Sequence, residues 1–246
     1  GAVLALILFK VLNILFEKRY NHYKFSNLIS EKNSEIYYYF LFLFISCLFI
    51  TASPSLDLYI SSLFYLGDSQ FLVNTHYYIS IFFREVLLPF ILVYILVLPI
   101  VGHFTKIDKI FFNYKFSVKE IFLLWGSQII IVLIFVNLFL KNFWGRARPN
   151  DVLELGGKEI FSPWYEMSNA CLTNCSFVSG DASVGFSIII LYLITKNIIF
   201  LYGSFVVGLV LGLIRIMAGG HFLSDIFFAG FFVVILNIIL FELYKK

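Results

Sequence analysis

The chain has 246 residues, 61% hydrophobic and only 13% charged, whereas a soluble domain carries about 25% charged residues. Its net charge of +3 comes without any Lys/Arg block, which excludes an obvious nucleic-acid binder. The apolar residues fall in long runs, so the chain reads as an integral membrane protein of about six spans, each needing roughly 20 residues.

In chain order, residues 1–16 are apolar except for Lys10 and Asn13. They are short for a span. An interfacial helix is the first reading and a truncated span the second. With Lys10 interrupting the run and no small-residue cleavage pattern, no cleavable signal peptide is expected. Residues 1–35, polar from 17 onward, precede one membrane domain over 36–246. Its spans are expected at 36–53, 79–103, 121–141, 181–196, 198–217 and 224–243. The one at 181–196 is short and needs tilt or support from neighbours. Between the first two spans, Ser55–Ile60 reads as a short interfacial helix. Near the start of the second span, Arg84 and Glu85 read as a headgroup-level pair snorkelling to water, or as a contact to an incoming phosphate. The longest polar loop, 150–175, is expected to line an entrance with Trp164, Tyr165 and Glu166. The fold class is therefore all-α: a polytopic six-transmembrane-helix core with an extra N-terminal apolar helix.

Charge asymmetry orients this core. Loops 17–35, 104–120 and 196–197 and the C-terminal tail hold eleven Lys and Arg, while residues 54–78 hold none. The positive-inside rule then puts both ends of the core in the cytoplasm and the opposite loops in the periplasm or outside the cell. Cys171 and Cys175 fall on that outer side, where an oxidising compartment permits a disulfide; two free thiols are the alternative. Cys47 lies mid-span and reads as packing. No metal-binding cluster is evident.

Three polar stretches interrupt the apolar pattern, all on the outer side. In Lys141–Pro149, KNFWGRARP, positive charges run against the topology rule and need an anionic partner; otherwise they anchor a helix end, with Trp144 in the aromatic belt. Arg matches phosphate oxygens with a bidentate fork, and Lys acts as a point charge. In Ser176–Ser183, SFVSGDAS, Ser179 and Gly180 open a helix whose backbone N–H groups attract anions. Simple capping by Ser179 or Asp181 explains the same residues. In Arg215–Asp225, RIMAGGHFLSD, a helix restarting at His221 would place Asp225 one turn on, on the same face. A carboxylate on one imidazole nitrogen fixes the tautomer and leaves the other free to attack. The competing reading is a polar cluster that hydrogen-bonds internally.

Lys-x6-Arg-Pro, then Ser-Gly, then Arg-x5-His-x3-Asp resembles the type 2 phosphatidic acid phosphatase superfamily over residues 121–243. Ile214 replaces the family's usual Ser before Arg215, and Asp181 replaces the His that usually follows Ser-Gly. CSFVSGDAS and GGHFLSD are similar to the branch containing lipid A 4′-phosphatases. The resemblance implies a metal-independent phosphatase without cofactor, acting on a membrane lipid without an obligatory protein partner. It implies His221 as nucleophile, Asp225 as its orienter, and Lys141, Arg148, Arg215, Ser179 and Gly180 around the phosphate. Asp181 could serve as general acid if burial raised its pKa, although neighbouring cations act in the opposite direction. The implied product is lipid A lacking its 4′-phosphate, made at the periplasmic face of a bacterial inner membrane. Phosphatases of lipid A at position 1, of undecaprenyl diphosphate or of phosphatidylglycerol phosphate are the alternatives within enzymes. A non-catalytic phospholipid transporter is the alternative outside them.

Overall fold

The structure, a computed structural model, describes residues 34–75, 77–105 and 114–246. The expected helix at 1–16, most of the polar segment behind it, and Lys106 and Lys109 lie outside those residues. Helix α1 (Ser34–Ala52) leads through Pro54 into α2 (Ser55–Ser62). A hairpin follows, with β1 (Tyr65–Gly67) antiparallel to β2 (Gln70–Phe71). Asp68 and Ser69 turn it with φ of 48° and 58°, the geometry of a two-residue type I′ turn. The all-α expectation did not include this hairpin. The next spans are α3 (Tyr78–Phe104) and α4 (Val118–Phe143). After the long loop come α5 (Gly180–Phe186), α6 (Ile189–Thr195), α7 (Ile198–Met217) and α8 (Leu223–Tyr244).

Among the described residues, five helices are long and apolar enough to cross a membrane: α1, α3, α4, α7 and α8. They match five of the six expected spans; the segment at 181–196 is the two-part pair α5–α6, too short to be counted with them by length. Ser187 interrupts it: its hydroxyl donates to Val184 O at 2.6 Å and to Gln128 Oε1 at 3.1 Å, so the side chain competes with the backbone ladder. At about 1.5 Å per residue the pair falls short of roughly 30 Å of hydrocarbon. It is also buried rather than lipid-facing, with Phe186, Ile189, Ile190 and Leu191 fully enclosed.

The bundle is arranged around α8, which is buried along its length from Ser224 to Phe241. By contrast, α3 and α4 turn Phe82, Phe90, Phe122 and Leu133 outward. Apolar contact between helices gains little in lipid, so close packing and interhelical hydrogen bonds must hold the spans together. Small residues provide the packing. A Cβ added at Gly185 would lie 2.7 Å from Gly208 Cα, and one at Gly212 would lie 2.3 Å from Ile226 Cγ2. Ser127 donates to Asn237 Oδ1 at 2.5 Å and joins α4 to α8, while Tyr39 and Ser204 hydroxyls pair at 3.1 Å between α1 and α7.

The loop between α4 and α5 folds back over one end of this bundle. Gly145, at φ 67°, turns the chain against Ser168, and Cys171 and Cys175 are disulfide-bonded. Trp164 does not line an entrance. It is buried, its ring centroid 3.8 Å from that of Phe228, and its indole N–H donates to Thr51 Oγ1 at 2.9 Å. Trp144 likewise packs on Phe177 at 4.7 Å and donates to Trp164 O, so it serves the core beneath the loop rather than an aromatic belt.

Candidate active site

Backbone hydrogen bonds tie the three polar stretches into one unit. Ser176 N donates to Arg146 O at 3.0 Å, Ser179 N to Asp225 O at 3.2 Å, and Asn150 N to Gly219 O at 3.1 Å. The first stretch therefore joins the second and third, and the second joins the third, at one end of the bundle.

Local sequence explains how each side chain is presented. Pro149 forces Arg148 into an extended conformation, φ −86° and ψ 161°. Lys141 and Arg148 are thus not successive turns of one helix, as a continued helix would require; the chain leaves α4 at Phe143. Arg148 donates to Asn174 O at 2.6 Å, and Lys141 to Asn174 Oδ1 at 3.4 Å, so one residue steadies both cations. Ser179 is the N-cap of α5, its hydroxyl oxygen accepting from Ala182 N at 3.4 Å. That is the capping role, and it leaves the hydroxyl hydrogen free to donate elsewhere. A Cβ on Gly180 would lie 2.6 Å from Asn137 Oδ1 and 3.3 Å from Lys141 Nζ, so the start of α5 sits directly against the cation.

In the third stretch the helix restarts at Leu223, two residues later than expected. Gly219 takes a positive φ of 66°, which favours glycine, and a Cβ on Gly220 would lie 2.4 Å from Arg215 Nη2. The turn between Arg215 and His221 therefore depends on Gly219, while Gly220 leaves room for the Arg215 guanidinium to lie against the backbone. His221 Nδ1 lies 3.5 Å from Asp225 Oδ2, longer than an ordinary hydrogen bond; such contacts often tighten only when substrate binds. Burial pushes the His221 pKa down from 6.5 to about 4; Asp225 opposes this, and Lys141 and Arg215 add to it. The imidazole is consequently neutral near pH 7, as a nucleophile requires.

Asp225 is itself fixed from several sides. Its Oδ2 accepts from Ser176 Oγ at 2.5 Å and Phe222 N at 2.8 Å, and its Oδ1 from Arg146 Nη1 at 2.7 Å. Arg146 is fully buried and also donates from Nη1 to Ser224 Oγ and from Nη2 to Asp57 Oδ2, each at 2.7 Å. Its guanidinium lies 4.4 Å from the Phe222 ring centroid. Burial opposes the Arg146 charge, but Asp225 and Asp57 outweigh it and raise its pKa. Asp57 from α2 completes the cluster by accepting from Ser224 N at 2.8 Å and Ser224 Oγ at 2.6 Å.

The sequence reading missed Arg146, Asp57 and Ser176. Arg146 had a signal, as a third cation inside KNFWGRARP; Asp57 stood alone in a stretch read as interfacial. Asp181 lies between two guanidiniums, its Oδ2 being 3.5 Å from both Arg215 Nε and Arg84 Nε. Arg84 is therefore not simply snorkelling to water. Among the described residues, seven buried side-chain polar atoms lack a hydrogen-bond partner, and three of them are Asp181 Oδ2, Arg215 Nε and His221 Nδ1. Each of these three instead faces a charged partner at 3.5 Å, Asp181 against Arg215 and His221 against Asp225, so the site is held by long polar contacts rather than by short hydrogen bonds. Among the described residues no three His, Cys, Asp or Glu side chains gather as a metal site requires.

A buried histidine backed by a carboxylate and facing Lys141 and Arg215, at one end of several helices apolar and long enough to cross a membrane, suits a multi-pass hydrolase of membrane phosphate esters. The chain belongs to the PAP2 superfamily, whose pattern matches residues 122–246. It is 33% identical over 216 residues to the lipid A 4′-phosphatase of Francisella tularensis subsp. novicida (strain U112), covering 82% of this chain and 93% of that protein. It is 26% identical over 194 residues to the lipid A 4′-phosphatase of Rhizobium leguminosarum, covering 71% and 81%. A third such enzyme, from Rhizobium etli, is 27% identical over 197 residues, covering 71% and 74%. No solved structure matches the chain.

Proposed function

We propose that this protein removes the 4′-phosphate of lipid A at the periplasmic face of a bacterial inner membrane, through a phosphohistidine intermediate. The observation that carries the chemistry is His221, neutral and buried, against Asp225 and beside Arg215 and Lys141. The choice of lipid rests on the relatives that span most of the chain.

In the proposed reaction the His221 nitrogen that does not face Asp225 attacks phosphorus. The bond from phosphorus to the sugar oxygen breaks, and that oxygen leaves with a proton that Asp181 relays to it from water. Asp225 stabilises the positive imidazole as its second nitrogen becomes committed. Water then attacks the phosphohistidine, releasing inorganic phosphate and restoring the imidazole. Phosphoryl transfer depends mostly on positioning and charge stabilisation. Lys141, Arg148 and Arg215 supply the charge, with the Ser179 hydroxyl and the Gly180 N–H as further donors.

Phosphate release by purified protein in detergent, with and without His221→Ala, tests the reading. Wild type should release inorganic phosphate from 4′-phosphorylated lipid A, and the variant should release none while inserting and purifying normally. Turnover retained in the variant overturns the nucleophile. Binding of lipid without release by wild type supports a transporter, which has no need of a His221–Asp225 pair. Asp181→Asn separates the acid from a structural role. It should slow the sugar phosphate far more than an activated aryl phosphate, whose leaving group needs no proton. Equal losses on both substrates would leave Asp181 a structural part only.

A further inference from the structure

We propose that a polar cavity beside Asp181 is the subsite for the leaving alcohol, and that it selects a headgroup bearing hydrogen-bond donors, as an acylated amino sugar does, over an esterified glycerol. The inference rests on the phosphatase reading above and extends it to the other side of the scissile bond. The cavity, of about 300 Å³, is lined by Ser80, Ile81, Arg84, Glu85, Leu88 and Asp181. That volume sits at the lower end of the range for small-ligand sites, roughly 300–1,000 Å³.

Its position follows from Asp181. The same carboxylate oxygen lies 3.5 Å from Arg215 Nε on one side and 3.5 Å from Arg84 Nε on the other. Arg215 belongs to the phosphate-holding cations, so the cavity opens next to the reacting group. The other wall is the outer end of α3, where Phe82–Leu87 forms a wide π turn. Such turns break the regular ladder and recur at functional sites. Ser80, Arg84 and Glu85 all lie on or next to this turn, at the N-terminal end of α3.

Its chemistry decides the ligand. The lining carries one guanidinium against two carboxyl groups, Glu85 and Asp181, so it offers no net positive charge for a second phosphate. Carboxylates only accept hydrogen bonds, Arg only donates, and the Ser80 hydroxyl does both. A ligand must therefore bring donors as well as acceptors. An acylated amino sugar brings both, through its amide N–H and remaining hydroxyl. The glycerol of a diacylglycerol phosphate, with its oxygens esterified, brings acceptors alone and offers no donor to Glu85 or Asp181.

The test compares kcat/KM of the purified protein on 4′-monophosphorylated lipid A and on phosphatidic acid, for wild type, Glu85→Ala and Ser80→Phe. Wild type should favour the sugar lipid. The ratio of the two kcat/KM values should fall roughly tenfold in Glu85→Ala, the effect of about one lost hydrogen bond to a charged group. It should also fall in Ser80→Phe, which fills the cavity, in both cases mainly through KM for the sugar lipid. A ratio unchanged in Glu85→Ala overturns the subsite, as does a wild type that favours phosphatidic acid. If Ser80→Phe does not fold, the Glu85→Ala ratio decides alone. Release of phosphate from neither lipid by wild type is a different failure, that of the phosphatase reading itself, and the subsite falls with it.

Discussion

At the scale of single residues, the burial of His221 has a measurable consequence. Its pKa is depressed from 6.5 to about 4, chiefly by burial. The neutral form that the proposed attack on phosphorus requires is thus present above about pH 4 and lost below it. A plot of kcat/KM reports the free enzyme. After correction for the substrate's own ionisation near pH 6, it should turn down on the acid side near pH 4. A downturn near 6.5 would mean that His221 is solvated or is not the nucleophile. The same shift affects stability. Between pH 6.5 and about 4 the unfolded chain takes up a proton at this position and the folded chain does not, so stability falls as pH drops through that window. Arg146 makes a second residue-scale prediction. Removing one member of a buried ion cluster typically costs about 3–5 kcal/mol, so Arg146→Ala should lower the yield of folded protein severely. Arg146→Lys keeps the charge but loses the fork that reaches Asp57 and Asp225 together. With Asp225 displaced, kcat per folded molecule should drop on the order of 100-fold while KM holds within about twofold. A parallel change in both constants would give Arg146 a merely structural role.

At the scale of elements, the bundle depends on a few close crossings. In α7, Gly212 lies against Ile226 of α8 and Gly208 against the Phe186 ring, whereas a Cβ on Gly203 would meet nothing within 4 Å. Gly212→Val should therefore abolish the monodisperse peak of the protein in detergent. Gly203→Ala should be neutral or raise the melting temperature, since Ala exceeds Gly in a helix interior by up to about 1 kcal/mol. Equal tolerance of both would contradict the packing. The sequence carries a signal for this that hydropathy does not weigh: Ser204, Gly208 and Gly212 recur every four residues on the buried face of α7, and Gly203 lies off that row. Hydropathy located α1, α3, α4, α7 and α8 to within a few residues, since span length is set by the bilayer. It could not reveal that the segment at 181–196 is broken at Ser187, a break that depends on a hydroxyl partner on another helix, Gln128. The hairpin at Tyr65–Phe71 was equally hidden, because Asp68-Ser69 is a weak turn signal without an Asn-Gly or Asp-Gly pair. Within the site, the residues proposed to hold phosphate stand out as charges where charge is costly. Their supports do not. Asp57 reaches Arg146 across 89 positions of sequence, and no local spacing announces such a pair.

At the scale of the whole molecule, the site draws on more of the chain than the family pattern covers. That pattern begins at residue 122, yet Asp57 lies in the ion cluster behind His221 and Arg84 beside Asp181. The helices ahead of the family core thus brace the end of the bundle that carries the proposed site. The remaining whole-molecule question is which way that end faces, and the cysteines offer a direct test. Cys47 is buried, and Cys171 and Cys175 are bonded to each other, so the native chain has no exposed thiol among its described residues. Lys119 lies in the first turn of α4 and is exposed at the end of the bundle opposite the site, while Lys158 is exposed in the loop over the site. If the positive-inside reading holds, a membrane-impermeant maleimide applied to intact spheroplasts should label Lys158→Cys and not Lys119→Cys; lysis should expose both. The reverse pattern would put the site in the cytoplasm and rule out a periplasmic lipid A phosphate as substrate. The wild-type chain reads the compartment independently. It should resist the maleimide until a mild reductant opens Cys171–Cys175, since a disulfide persists in an oxidising periplasm and not in the cytosol. Labelling of wild type without reductant would remove that second line of support even where the introduced cysteines agree with the first.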